Sequence, residues 1–259
     1  MNSPDFELAE LQYSVVIPFF DEEPNVAPLI AELRPVLNRW TAPYEVLLID
    51  DGSRDGTASA LRGATRDWDE AKVIQFARNC GQGAALFYGL RNARGQAIVL
   101  LDGDGQNDPT DIPLLIDALQ SADLVVGVRV QRQDSLLRRS MSRLANGFRQ
   151  WLLRDGCTDT GCGIKVLRRS TVDALIPMKT LYSFIPTLIV RAGFRMVELP
   201  VNHRPRAAGK SKYGLRQMLW RPLFDLFGVW WFCLRRSPQP VAQASPSHTK
   251  AQSSEFRIQ

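Results

Sequence analysis

The chain has 259 residues, 45% of them hydrophobic, and a formal net charge of +5. That is enough apolar material for one sizeable core and rules out a disordered chain. The four cysteines, Cys80, Cys157, Cys162 and Cys233, have no C-x-x-C pairing, which argues against a zinc ribbon or a disulfide scaffold and suits a reduced, cytosolic setting.

Residues 1–10 are acidic and lack an apolar core, so they read as a leader and not as a secretion signal. Strand and helix signals then alternate. Tyr13 to Phe20 is a β-rich run that ends in the polar loop Asp21-Glu22-Glu23-Pro24, and a helix follows through Trp40. Tyr44 to Asp50 is a second strand, ending in Asp50-Asp51-Gly52-Ser53. A helix starts near Asp55-Gly56-Thr57, with Thr57 as its cap. Lys72 to Ala77 is a third strand, Gly81 to Ala93 a helix and Gln96 to Asp102 the fourth strand. Pro109 to Leu119 is helical and Asp123 to Val128 is a strand. Continuous apolar strands of this kind need cover on both faces. The expected fold class is α/β, with a mostly parallel central sheet and helices on both sides.

Past Arg129 the pattern changes. Leu137, Met141, Leu144, Phe148, Trp151 and Leu152 recur at helical spacing. Between them Arg132, Arg139, Arg143 and Arg149 read as a face turned to solvent or to a membrane surface, with Arg138 intermediate. Asp159 to Lys165 is a Gly-rich loop, Ser183 to Ala192 a helix, Phe194 to Val201 a short strand and His203 to Gly214 a basic loop. Met218 to Leu234 is aromatic-rich and followed by Arg235-Arg236, as in an amphipathic helix lying in a membrane interface; a core helix or a dimer contact is the plainer alternative. The tail 237–259, rich in Pro, Ser, Gln and Ala, reads as disordered. No run of about 18 uninterrupted apolar residues occurs, so no conventional transmembrane helix is expected. The organisation is therefore a leader over 1–10, an α/β domain over 11–215, an interfacial segment over 216–236 and a tail over 237–259.

Charge is segregated along the chain. Arg129–Arg154 holds seven arginines against Asp134, and His203–Arg236 holds eight lysines and arginines against Asp225. These parts carry +6 and +7 and leave −8 for the rest. The basic parts suit anions. In the acidic part, Asp102-Gly103-Asp104-Gly105-Gln106 follows the buried run Ala97-Ile98-Val99-Leu100-Leu101, where a parallel sheet opens into its ligand crevice. Two carboxylates one residue apart repel each other unless a cation is shared, and hard oxygen ligands select Mg²⁺ or Mn²⁺ with room for a diphosphate. The plain alternative is a turn, which Asp and Gly also favour. A calcium loop fails, because its sixth position would be Asn107 and its twelfth Pro113.

The order of these motifs, from Tyr13 to Tyr213, resembles the family-2 glycosyltransferases with the GT-A nucleotide-sugar fold. Within them it is similar to the dolichyl- or polyprenyl-phosphate sugar synthases. The resemblance implies that Pro18, Phe20 and Glu22 line a nucleoside pocket and that Asp51 bonds the base. Asp102 and Asp104 then form the metal–diphosphate motif around Gly103, with Gln106 completing the shell. Arg129 meets the acceptor phosphate. Arg206 and Lys212, in Arg206-Ala207-Ala208-Gly209-Lys210-Ser211-Lys212, clamp phosphates. The chain departs from the pattern at Phe20, where many relatives have Tyr, at Gly103, where Ala is common, and at Val128, where Ser is common.

The implied reaction is inverting transfer of a sugar from a nucleoside-diphosphate sugar to a polyprenyl phosphate, dolichyl or undecaprenyl. It would be carried out peripherally at the cytoplasmic face of a membrane, in an oligomer or not. An alternative within enzymes is transfer to a hydroxyl acceptor in cell-envelope polysaccharide synthesis. That requires a base, for which Asp159 is the candidate, although a loop-ordering role is favoured for it. A non-catalytic binder of nucleic acid or anionic membrane leaves the paired carboxylates unexplained, and no nucleic-acid partner is expected.

Overall fold

The computed structural model describes residues 11–129, 147–205 and 215–236, with side chains of 215–223 excepted. Seven strands form one sheet: β1 (Tyr13–Phe19), β2 (Tyr44–Asp50), β3 (Ala71–Gln75), β4 (Ala97–Leu100), β5 (Leu124–Arg129), β6 (Lys165–Arg168) and β7 (Met196–Val201). Their order is β3-β2-β1-β4-β6-β5-β7. All neighbours run parallel except β6, which is antiparallel to both β4 and β5.

Helices α1 (Glu23–Leu37), α2 (Thr57–Ala64) and α4 (Ile112–Ala118) cover one face. Helices α3 (Gln82–Asn92), α6 (Leu181–Arg191) and α7 (Leu215–Arg235) cover the other, joined by a helical segment at 147–153 (α5). Alternate residues of each central strand feed opposite layers. Val15 and Ile17 of β1 pack with Leu29 and Leu33 of α1, while Val16 packs with Leu86 and Leu90 of α3. Strands β1, β2 and β4 are buried almost throughout, which is why they read as unbroken apolar runs.

Strand β6 departs from the sequence reading, which ended a loop at Lys165. The insertion is only four residues long and carries a lysine and an arginine. It has an important consequence. Because β6 runs against its neighbours, it begins at the edge where β4 and β5 end, so the loop before it arrives at the crevice.

Arg149 corrects a second expectation. It does not belong to a solvated face. Its guanidinium is buried and pairs with Asp155 at 2.5 Å, and it also donates to the Cys157 carbonyl. Asp155 in turn accepts from the Thr187 hydroxyl of α6 and the Cys157 amide. Helical periodicity alone marks Arg149 as one of four similar arginines, and only the returning chain supplies its partner. Phe148 and Trp151 of the same segment are exposed. Arg132, Arg138, Arg139 and Arg143, the leader 1–10 and the tail 237–259 lie outside the described residues.

Helix α7 spans 21 residues and runs through Pro222. Leu226 and Val229 bury against the α3/α6 layer, Asp225 accepts from Thr180, and Arg236 donates to the Ala174 carbonyl. Phe224, Phe227, Trp231 and Leu234 face outward. Among the described residues no helix is long and apolar enough to cross a membrane.

The Arg149–Asp155 pair anchors the loop that leads into β6. Removing one partner strands a buried charge, so Asp155→Ala should lower stability in urea unfolding by about 3–5 kcal/mol. The double change Arg149→Met with Asp155→Ala should recover much of that loss.

Candidate active site

The sheet reverses its winding between β1 and β4. These strands are adjacent and parallel, but β1 connects outward to β2 while β4 leads toward β5 on the other side. A crevice opens at the carboxyl ends of strands at such a switch point. Pro18-Phe19-Phe20 ends β1 there, and Asp102-Gly103-Asp104 follows β4.

Asp102 is half-buried, and its Oδ1 accepts from the Gln82 side-chain amide at 3.1 Å. The other oxygen lies against Gly163: a Cβ at that position would meet Oδ2 at 2.1 Å and the Asn107 Oδ1 at 2.5 Å. Gly103 is equally confined. A Cβ there would come within 2.6 Å of the Phe19 ring and 2.7 Å of the Pro18 carbonyl. This explains glycine where relatives often carry alanine. Asp104 accepts from the Gln106 amide at 3.1 Å, a tight local turn. The Gln106 side chain donates to the Arg204 carbonyl at 3.3 Å, and Arg204 returns its own N–H to the Gln106 carbonyl at 2.9 Å. Gln106 therefore ties the acidic loop to the start of the basic loop, a task absent from the sequence reading, and only its amide oxygen suits a cation. Arg204 also pairs with Glu32 and Asp108.

On the β1–β2 side, Pro18, Phe20, Glu22 and Asp51 stand at and just beyond the strand ends. Pro18 is buried and Phe20 half-buried. Glu22 is buried, and its carboxylate accepts from Asn25 at 2.5 Å. Its backbone N–H donates to the Thr57 hydroxyl at 2.8 Å. Glu22 thus braces the turn at the end of β1. Thr57 is not a cap: its hydroxyl bonds Glu22 and Asp55, and α2 opens at Thr57 itself, behind Gly56 in the cap position with no side-chain cap. Asp50 accepts from the Ser53 amide, closing the turn between β2 and α2.

Asp51 is buried and accepts from the Cys80 N–H at 2.7 Å, the Gly81 N–H at 2.8 Å and the Asn79 amide at 2.9 Å. It organises the β3–α3 loop. Burial pushes its carboxyl up, with Asp50 adding to the effect, and the two N–H bonds oppose it. Gly52, at φ +67°, lets the same loop approach, since a Cβ would meet the Arg78 carbonyl carbon at 2.4 Å. Gly83 packs under the Met178 and Lys179 carbonyls, while its neighbour Gln82 faces the acidic loop. No local signal marks Gln82 in the sequence, because its partner Asp102 stands 20 residues along the chain.

Arg129 ends β5 at the same edge. Its Nε and Nη2 donate to the two oxygens of buried Asp159 at 2.8 and 2.7 Å. This bidentate pair orients the guanidinium and places Asp159 in loop ordering. Thr158 and the Asp159 amide are held by Glu198 of β7. Arg206 and Lys212 lie outside the described residues.

No ligand set of three His, Cys, Asp or Glu side chains occurs among the described residues. Two carboxylates and an amide oxygen nonetheless fit a hard cation that takes its remaining ligands from a diphosphate and water.

Residues 14–175 match the family model described as glycosyl transferase family 2. The chain is 37% identical over 228 residues to an undecaprenyl-phosphate 4-deoxy-4-formamido-L-arabinose transferase of Aeromonas hydrophila, covering 87% of this chain and 68% of that protein. It is 36% identical over 228 residues to a dodecaprenyl-phosphate galacturonate synthase of Rhizobium johnstonii, covering 86% and 67%. Among solved structures, Mycobacterium tuberculosis glucosyl-3-phosphoglycerate synthase with Mn²⁺, UDP-glucose and phosphoglyceric acid aligns at a TM-score of 0.63 and 20% identity, covering 91% and 89%; this likeness is one of fold. With a family match over more than half its length and the acidic motif at the switch point of a GT-A sheet, the chain belongs to glycosyl transferase family 2.

Proposed function

We propose that this enzyme transfers a sugar, with inversion, from a nucleoside-diphosphate sugar to a polyprenyl phosphate at a membrane surface. The observation that carries the reading is the confined Asp102-Gly103-Asp104 turn at the switch point. The printed activities of the two relatives support the acceptor class.

Asp102 and Asp104, with the Gln106 oxygen, would hold Mg²⁺ or Mn²⁺. When bound, the ion neutralises charge that grows on the departing diphosphate. The protein's own part is positional. Gln82 and Gly163 hold the Asp102 carboxylate in one orientation. Phe20 offers a ring face to the base, Pro18 and Glu22 shape that pocket, and Asp51 keeps its far wall in place through residues 79–81. A phosphate monoester has a second pKa of about 6, so the acceptor oxygen is already anionic near neutrality and no general base is required. The task is then to bring two anions together. Arg129, oriented by Asp159, and Arg206 and Lys212 of the basic loop are assigned to it. The commitment of Asp159 to Arg129 weighs against a base role and so against a hydroxyl acceptor.

The exposed face of α7 supports peripheral membrane binding. Phe227 and Trp231 are 51% and 59% exposed on a helix whose opposite side is anchored in the core. A catalytic part over 11–215 followed by an interfacial helix is consistent with that anchoring.

Four outcomes test the reading. Incubation with undecaprenyl phosphate, Mn²⁺ and a panel of nucleotide sugars should yield a lipid-extractable product of inverted anomeric configuration by NMR. A product on soluble sugar alone would sink the acceptor assignment, and Asp102→Asn should cut turnover by about 10²–10³-fold. Gly103→Ala forces the acidic turn away from Phe19 and should lower turnover by up to about 100-fold in protein that is still folded, with a stability loss of about 1–3 kcal/mol in urea unfolding. Finally, Phe227→Glu with Trp231→Glu should abolish cosedimentation with phosphatidylglycerol vesicles while leaving secondary structure intact by circular dichroism.

A further inference from the structure

Lys165 is a buried cation that the mechanism leaves without a task. It opens β6 at 2% exposure, in register with Leu100 and Val126. Its ammonium donates to the Thr160 carbonyl at 3.4 Å and to the Cys162 carbonyl. Among the described residues it makes no ion pair with a carboxylate. A desolvated ammonium held by carbonyls alone is costly. An apolar side chain at this strand position would serve packing better.

The two carbonyls belong to a short stretch with two ends. At one end Asp159 grips Arg129, and a Cβ on Gly161 would stand 3.0 Å from the Arg129 Nη2. At the other end the Gly163 backbone backs the Asp102 carboxylate. Residues 159–163 therefore touch the acceptor-side arginine and the cation-side acid, and Lys165 draws the middle of that stretch down onto the sheet.

We propose that Lys165 is a positioning residue: by tethering the Thr160 and Cys162 carbonyls it places Asp102 and Arg129 in one frame, so that cation binding and acceptor binding depend on the same buried ammonium. The inference rests on the proposed function for what Arg129 contacts, but its first measurement uses no acceptor.

Lys165→Met keeps side-chain length, removes the charge and releases both carbonyls. Mn²⁺ binding to the protein with UDP, followed by loss of the free-ion EPR signal, should weaken by about tenfold. The KM for the acceptor that the wild-type enzyme uses should rise by a similar factor, while the thermal midpoint stays near that of wild type. A folded variant with unchanged Mn²⁺ affinity, or with only one of the two constants altered, overturns the proposal. If the Met variant does not fold, Lys165→Gln, which is neutral but retains an N–H donor, replaces it. Failure of both to fold assigns Lys165 to stability and also overturns the proposal. A wild-type protein that binds Mn²⁺ but makes no lipid-linked product defeats the acceptor assignment alone, because the Mn²⁺ comparison is still read.

Discussion

Two glycines leave no room around Asp102, and the geometry of the site follows from that crowding. Gly103 lies against the Phe19 ring, and Gly163 lies against the Asp102 carboxylate itself. Close packing in protein interiors transmits displacements instead of absorbing them. The acidic turn is therefore located by the end of β1 on one side and by the loop before β6 on the other. Under the proposed function, an acid placed in this way would need little reorganisation on binding a cation and diphosphate, the condition under which electrostatic stabilisation is most effective.

The same logic governs the charges around it. Arg149 with Asp155, Arg129 with Asp159 and Lys165 with two carbonyls are drawn from the loop between α5 and β6 or from α5, β5 and β6 around it. Each holds a charged group in a buried or partly buried setting where a missing partner is costly. That cost makes the loop's conformation nearly unique, since other conformations would strand a charge. On the opposite side of the crevice, Asp51 performs the equivalent service for residues 79–81 with three donors. The crevice walls are thus ordered by buried polar groups, while the sheet below is ordered by apolar packing.

The outer surface follows another rule. Helix α7 divides its residues between Leu226 and Val229, which close the α3/α6 layer, and an outward aromatic face flanked by Arg235 and Arg236. Trp151 of α5 is 71% exposed and adds to the apolar surface of the protein. Aromatic rings with arginines at their ends are costly to leave in water and well suited to a headgroup layer. Such an arrangement suits the peripheral membrane binding proposed above.

Periodicity and local residue chemistry were enough to read the parallel strands, the helices between them and the acidic turn, because each depends on neighbours in the chain. Unbroken apolar runs such as Tyr44–Asp50 demand two covered faces wherever they occur. Asp102-Gly103-Asp104 sets two carboxylates one residue apart, a feature visible in the local sequence alone. The antiparallel strand β6 escaped that reading, since four residues with two charges carry no period. The buried state of Arg149 and the roles of Gln82, Gly163 and Lys165 escaped it too. Their partners lie on other elements, as with Gln82 on Asp102 and Arg149 on Thr187's partner Asp155, or are backbone carbonyls that every residue carries. What a side chain is could be known from its letter; which charge it must answer was decided only when the chain folded back and removed the water between them.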